Sequence, residues 1–77
     1  MTRTKVYYRS QGTHGQDEDW WFIDQAENGQ ISIVHEWDYT PLNSRRSNSG
    51  EHAYSVEEGL EAAPAEAVGE IKAHLGF

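Results

Sequence analysis

Two apolar runs, Trp20-Trp21-Phe22-Ile23 and Ile31-Ser32-Ile33-Val34, stand on either side of Asn28-Gly29, and polar residues mix into both toward their outer ends. Asn-Gly between two such runs is the strongest short-range hairpin signal, with a two-residue type I′ loop as its usual form. That loop pairs Glu27 with Gln30 and predicts strands over about 20–26 and 30–38. Side chains alternate along a strand, so one face collects Trp20, Phe22, Ala26, Ile31, Ile33 and Trp37 and reads as the core side. Asp24 and His35 interrupt that face opposite Ile33 and Phe22, so each requires an edge position or a hydrogen-bond partner.

Arg3-Thr4-Lys5-Val6-Tyr7-Tyr8-Arg9 is β-branched and aromatic and predicts a further strand over about 3–9, able to pair with either side of the hairpin. Ser10 to Gly15 reads as a connection. Pro41, Asn43, Ser44, Ser47, Asn48, Ser49 and Gly50 surround Arg45-Arg46 and predict a loop over about 40–54. Ser55-Val56-Glu57-Glu58 then matches a capping box, which starts a helix over about 56–62 with Val56, Leu60 and Ala63 toward the sheet. Pro64 separates it from a second helix over about 65–75, where Ala67, Val68, Ile71 and Leu75 recur at helical spacing before Gly76. The expected fold is a single α+β domain over residues 1–77, a three-stranded antiparallel sheet packed against one or two C-terminal helices.

Charge sharpens this picture. Thirteen acidic residues against six basic ones give a net charge of −7. Seven carboxylates (Asp17, Glu18, Asp19, Asp24, Glu27, Glu36 and Asp38) fall between Gln11 and Thr40 without a Lys or Arg among them. Direct binding to nucleic acid or to an acidic membrane surface is disfavoured, because phosphates need cations. A basic protein partner is favoured instead. The chain has no Cys, no apolar run near the roughly 20 residues that span a bilayer, and no signal-peptide pattern at its start, so the expected location is cytoplasmic.

In the type I′ register Asp19 stands opposite Asp38 and Trp21 opposite Glu36, all on the face away from the core. Opposed like charges destabilise a strand pair, a cost that a basic partner relieves; if the strands splay before Asp19, the acids simply point into water. The candidate partner-binding residues are Asp17, Glu18, Asp19, Trp21, Glu36 and Asp38. Trp21 is either the interface anchor or, if another element covers this face, part of the core. Alternate strand residues repeat at roughly 6.6 Å, loosely commensurate with duplex phosphates, so this edge fits a groove built for nucleic acid. Metal is not expected: alternation points His35 away from Glu36 and Asp38, and no His-Glu-x-x-His pair exists. Without Cys, a Gly-x-Ser-x-Gly elbow or room for a cleft around Asp19 and Asp38, the chain does not read as an enzyme and implies no cofactor.

In length, charge and format, this small Cys-free α+β domain with Asp17-Glu18-Asp19, Glu36 and Asp38 beside Trp20-Trp21 resembles the anti-CRISPR proteins of phages and mobile elements. The resemblance is to the type I inhibitors, type I-C among them. It implies a monomeric, non-catalytic inhibitor in the host cytoplasm that occupies the basic DNA-binding residues of a Cas subunit in a type I surveillance complex. The alternative from another class is a small bacterial regulatory or immunity-type module bound to a basic toxin or transcription factor.

Overall fold

The computed structural model describes residues 2–11, 17–39 and 48–76, which build one antiparallel sheet and two helices. Strands β1 (Thr2–Gln11), β2 (Asp17–Gln25), β3 (Ile31–Tyr39) and β4 (Asn48–Ser55) lie side by side in chain order, followed by α1 (Val56–Ala62) and α2 (Ala65–Leu75). The protein is therefore α+β, with β1 beside β2. The sheet has four strands, not three. Residues 48–54, expected within a loop, and Ser55, expected only as a helix cap, pair along β3 from Ser32–Ser55 to Tyr39–Asn48. Residues 40–47, including Arg45 and Arg46, lie outside the described residues.

The hairpin exists, but its register is shifted by one residue from the type I′ expectation. Gly29 N–H donates to Ala26 O and Ala26 N–H to Gln30 O, both at 2.9 Å, so three residues, Glu27, Asn28 and Gly29, form the loop. Among the described residues only Gly29 and Gly76 have positive φ, which leaves Asn28 outside the left-handed conformation that a type I′ loop requires. Gly29, at φ 88°, closes a three-residue loop of the kind built on a type I turn, and the Asn28 Oδ1 accepts from Gln30 N–H at 2.9 Å. Asn-Gly serves both loops, and the core decides between them. The observed register sets Ile23 opposite Ile33, whereas the type I′ register buries Asp24 there.

One residue of slip exchanges the faces of β2 relative to β3. The helix-bearing face holds Trp21 and Ile23, which join Ile33, Ala67 and Ile71 in the core, with Val6, Tyr7, Ile31, Tyr54, Leu60, Ala63 and Leu75 packed around them. Trp20 and Phe22, expected in the core, lie on the opposite face. A bulge between Lys5 and Tyr7 lets both Val6 and Tyr7 pack against the core.

Ser55 ends β4 and caps α1: its Oγ accepts from Glu58 N–H at 3.2 Å and donates to Glu58 Oε1 at 3.0 Å. Gly76, at φ 84°, closes α2 with its N–H on Lys72 O. A helix of eleven residues is about 16 Å long and a strand of nine about 30 Å, so the helices shelter only the hairpin-turn half of their face. The other half carries the chemistry described below.

The opposite face curls. Arg3 Nε and Nη2 donate to the two Asp24 carboxylate oxygens at 2.7 and 2.8 Å, and Nη2 also reaches Glu51 Oε1 at 2.7 Å. Arg3 is on β1 and Glu51 on β4, in a flat sheet three strand spacings or about 14 Å apart across the strands and four residues or about 13 Å apart along them, so the sheet bends toward this face. Val34 is buried within the bend although no helix covers it, and the Arg3 guanidinium sits 5.2 Å from the Phe22 ring centre. The pairing holds the Arg3 proton well above the ordinary arginine range, the Asp24 hydrogen bond contributing most and the Glu51 bond next.

Candidate functional site

The register divides the six expected partner-binding residues. Glu18, Glu36 and Asp38 lie on the curled face, whereas Asp17, Asp19 and Trp21 lie on the helix-bearing face. The expected Asp19–Asp38 and Trp21–Glu36 pairs do not form: Asp19 stands opposite Trp37, and Trp21 opposite His35. Trp21 is 3% exposed and Asp19 4% exposed, so neither forms an outward wall. The physical reason is the three-residue loop, which turns Trp21 and Ile23 under the helices and carries Asp19 along with them.

Asp19 is the centre of a polar network. Its Oδ1 accepts from the Tyr39 hydroxyl at 2.6 Å and lies 2.8 Å from His35 Nε2, and its Oδ2 is 3.8 Å from Arg9 Nη2. A carboxylate only accepts, so His35 Nε2 carries the hydrogen of this bond; when the ring is neutral, Nδ1 is left as an acceptor. Arg9 Nε is buried without a hydrogen-bond partner. Both residues that interrupted the expected hairpin are thus satisfied, Asp24 by Arg3 and His35 by Asp19.

The His35 ring stacks on Trp21 at 4.4 Å and 7°, and Trp37 lies tilted 5.2 Å away on its strand neighbour side. Tyr54 stacks on Trp21 at 6.2 Å, and His52 lies 4.4 Å from Tyr54. His35, Trp37, His52 and Tyr54, with Tyr39 and Asn48, line a pocket of about 420 Å³ formed by β3 and β4 alone. Gly50 sets the place of Trp37: a Cβ there would come within 2.6 Å of the ring, so the missing side chain lets the indole lie against β4. An Asp–His pair resembles the orienting half of a catalytic triad, but the hydroxyl joined to it is that of Tyr39, which donates to Asp19 and not to the imidazole. Among the described residues no group of three or more His, Asp or Glu side chains is placed to hold a metal ion.

The Tyr39 hydroxyl is pushed up to about 12, first by its hydrogen bond to Asp19, then by burial and by the charges of Asp19 and Asp17. A raised folded value favours the neutral phenol. The stabilisation is therefore complete below the ordinary tyrosine value of 10.0 and is lost as pH rises from there toward about 12. A rapid pH-jump titration by ultraviolet absorbance should show a tyrosine ionising at about 12 that Tyr39→Phe removes. A titration curve whose alkaline end is unchanged by Tyr39→Phe would contradict this geometry.

The curled face carries a second concavity, a groove of about 360 Å³ lined by Trp20, Glu36, Asp38, Ser49 and Glu51 over the backbone of Trp37 and Gly50. Glu18 stands opposite Asp38, and Glu36 opposite Glu51, so like charges face each other across both neighbouring strand pairs. Tyr8 lies 5.6 Å from Trp20 and donates to Glu18 Oε1 at 3.2 Å. Among the described residues no cation lies within salt-bridge range of Glu36 or Asp38. Trp20 and Glu51 line this groove without having been expected there, Trp20 because it was assigned to the core and Glu51 because its strand has a loop-like composition.

No family model, curated protein or solved structure matches the chain. Among the described residues no helix is long and apolar enough to cross a membrane.

Proposed function

We propose that the protein is a non-catalytic binding domain that seats the groove around Trp20, Glu18, Glu36, Asp38 and Glu51 on a basic protein surface and blocks nucleic acid from it. The observation that carries this reading is the opposition of carboxylates on adjacent strands, Glu18 to Asp38 and Glu36 to Glu51, of which only Glu51 has a cation among the described residues, Arg3 at 2.7 Å. Directly opposed like charges destabilise a sheet, and the lysines and arginines of a partner relieve that repulsion on contact. Trp20 supplies the large half-buried ring that anchors such contacts, a role first expected of Trp21. The net charge of −7 steers encounter and disfavours nucleic acid itself as ligand.

The resemblance to anti-CRISPR proteins supplies the partner to test first, a Cas subunit of a type I surveillance complex whose DNA-binding residues are basic. A purified complex should lose target-DNA binding as the protein is added, more strongly at low than at high salt. Glu36→Lys with Asp38→Lys, both on the curled face and outside the core, should raise the inhibitory concentration by about a hundredfold while leaving the circular dichroism unchanged. Inhibition equal to that of the parent would sink the reading.

A further inference from the structure

The aromatic pocket lies on the helix-bearing face and the groove on the curled face, and Trp37 lines both. The lining of the pocket is mostly ring: His35, Trp37, Tyr39, His52 and Tyr54, with Asn48 at the end nearest Tyr39. Faces of tryptophan and tyrosine carry negative quadrupoles that attract cations. Two carboxylates stand just behind them. Asp19 holds both Tyr39 and His35, and Asp17 is paired with Tyr39 across the strands. The two acids together disfavour the Tyr39 phenolate. A field that opposes an added negative charge welcomes a positive one. Arg9 offsets part of it, from β1, two strands away from the β3–β4 pocket.

We propose that this pocket receives the guanidinium group of an arginine side chain. The chemistry of the walls selects that cation. A planar, weakly hydrated guanidinium stacks on aromatic faces while its N–H groups seek acceptors in the ring plane. With its Nε2 hydrogen on Asp19, the neutral form of His35 offers Nδ1 as an acceptor, and the Asn48 side-chain carbonyl is another. A volume of about 420 Å³ admits the fork with its aliphatic stem. Gly50 is the positioning residue, because a side chain there would displace the Trp37 ring. The inference draws on the basic-partner reading only for the natural source of the arginine, and the pocket is tested without that partner.

The experiment titrates the isotopically labelled protein with the blocked tripeptide Gly-Arg-Gly at low salt and follows the amide, indole and imidazole signals by NMR. Blocked Gly-citrulline-Gly and Gly-Lys-Gly serve as comparisons. Saturable millimolar binding is expected, with the largest shifts at Trp37, His52 and Tyr54 and affinity about tenfold weaker for citrulline, the loss expected when a desolvated cation–π contact is removed. Trp37→Leu should abolish the shifts. Should that variant fail to fold, Asn48→Lys, at an exposed position, places a competing cation at the pocket and should abolish them equally. Glu36→Lys with Asp38→Lys should leave binding within about threefold of the parent, as expected for screened charges on the other face. Equal binding of citrulline or lysine peptides, shifts centred on Trp20, or full binding by Asn48→Lys would each overturn the assignment. Loss of inhibition by the double lysine variant with retained peptide binding separates this pocket from the curled-face groove.

Discussion

Gly59→Ala is expected to destabilise the protein by about 3 kcal/mol, the upper part of the range for overpacking a well-filled core. Gly59 is buried in α1, and an added Cβ would lie 2.5, 2.7 and 2.8 Å from Ile33 Cβ, Cγ1 and Cγ2. Those atoms sit at the branch of a fully buried side chain on a central strand and cannot swing aside. Intrinsic helix propensity favours alanine by about 1 kcal/mol, too little to offset a clash along the whole α1–β3 contact. Gly69 provides the contrast. It is exposed in α2 with nothing near its missing Cβ, so Gly69→Ala should stabilise by about 1 kcal/mol. Urea denaturation of both variants measures the opposite signs. Ile33→Val should not rescue Gly59→Ala, because valine keeps all three offending atoms, whereas Ile33→Ala should cost less in the Gly59→Ala background than in the parent. A Gly59→Ala variant as stable as the parent would show that α1 does not rest on Ile33 this closely.

Arg3→Ala is expected to cost about 2 kcal/mol, less than a fully buried pair because the Arg3 side chain is 39% exposed. The loss comes mainly from what remains behind, a 7% exposed Asp24 carboxylate without its cation. Lysine should restore little, since a single ammonium does not reproduce the paired bonds to Asp24 while also reaching Glu51. Asp24→Asn should recover part of the loss in the Arg3→Ala background but destabilise the parent. If Arg3→Ala changes the free energy of unfolding by less than about 0.5 kcal/mol, the bridge from β1 to β4 does not hold the curl, and its charges behave as a surface pair.

The order of strands before helices, the helix punctuation at Ser55 and Pro64, and the hairpin itself were legible because each rests on local chemistry. The hairpin register was not. Trp20-Trp21-Phe22-Ile23 places apolar groups on both faces of β2, so alternation cannot choose between them, and Asn-Gly fits either loop. The choice depends on which side chains α1 and α2 later cover, a tertiary fact. β4 was hidden for a related reason: Asn48-Ser49-Gly50-Glu51-His52 reads as a turn, and this edge segment becomes a strand through its pairing with β3. The site followed the register. The chemistry expected of Asp19 and Asp38 is present at Glu18–Asp38 and Glu36–Glu51, while Asp19 became the buried acceptor of His35 and Tyr39.

Ser55 belongs at once to the outermost strand and to the first helical turn, with no spacer between them. Peeling β4 from the sheet would therefore also remove the cap of α1. The two elements are latched. An edge otherwise free to fray, or to be traded with a second molecule, is held by the helix that starts where it stops.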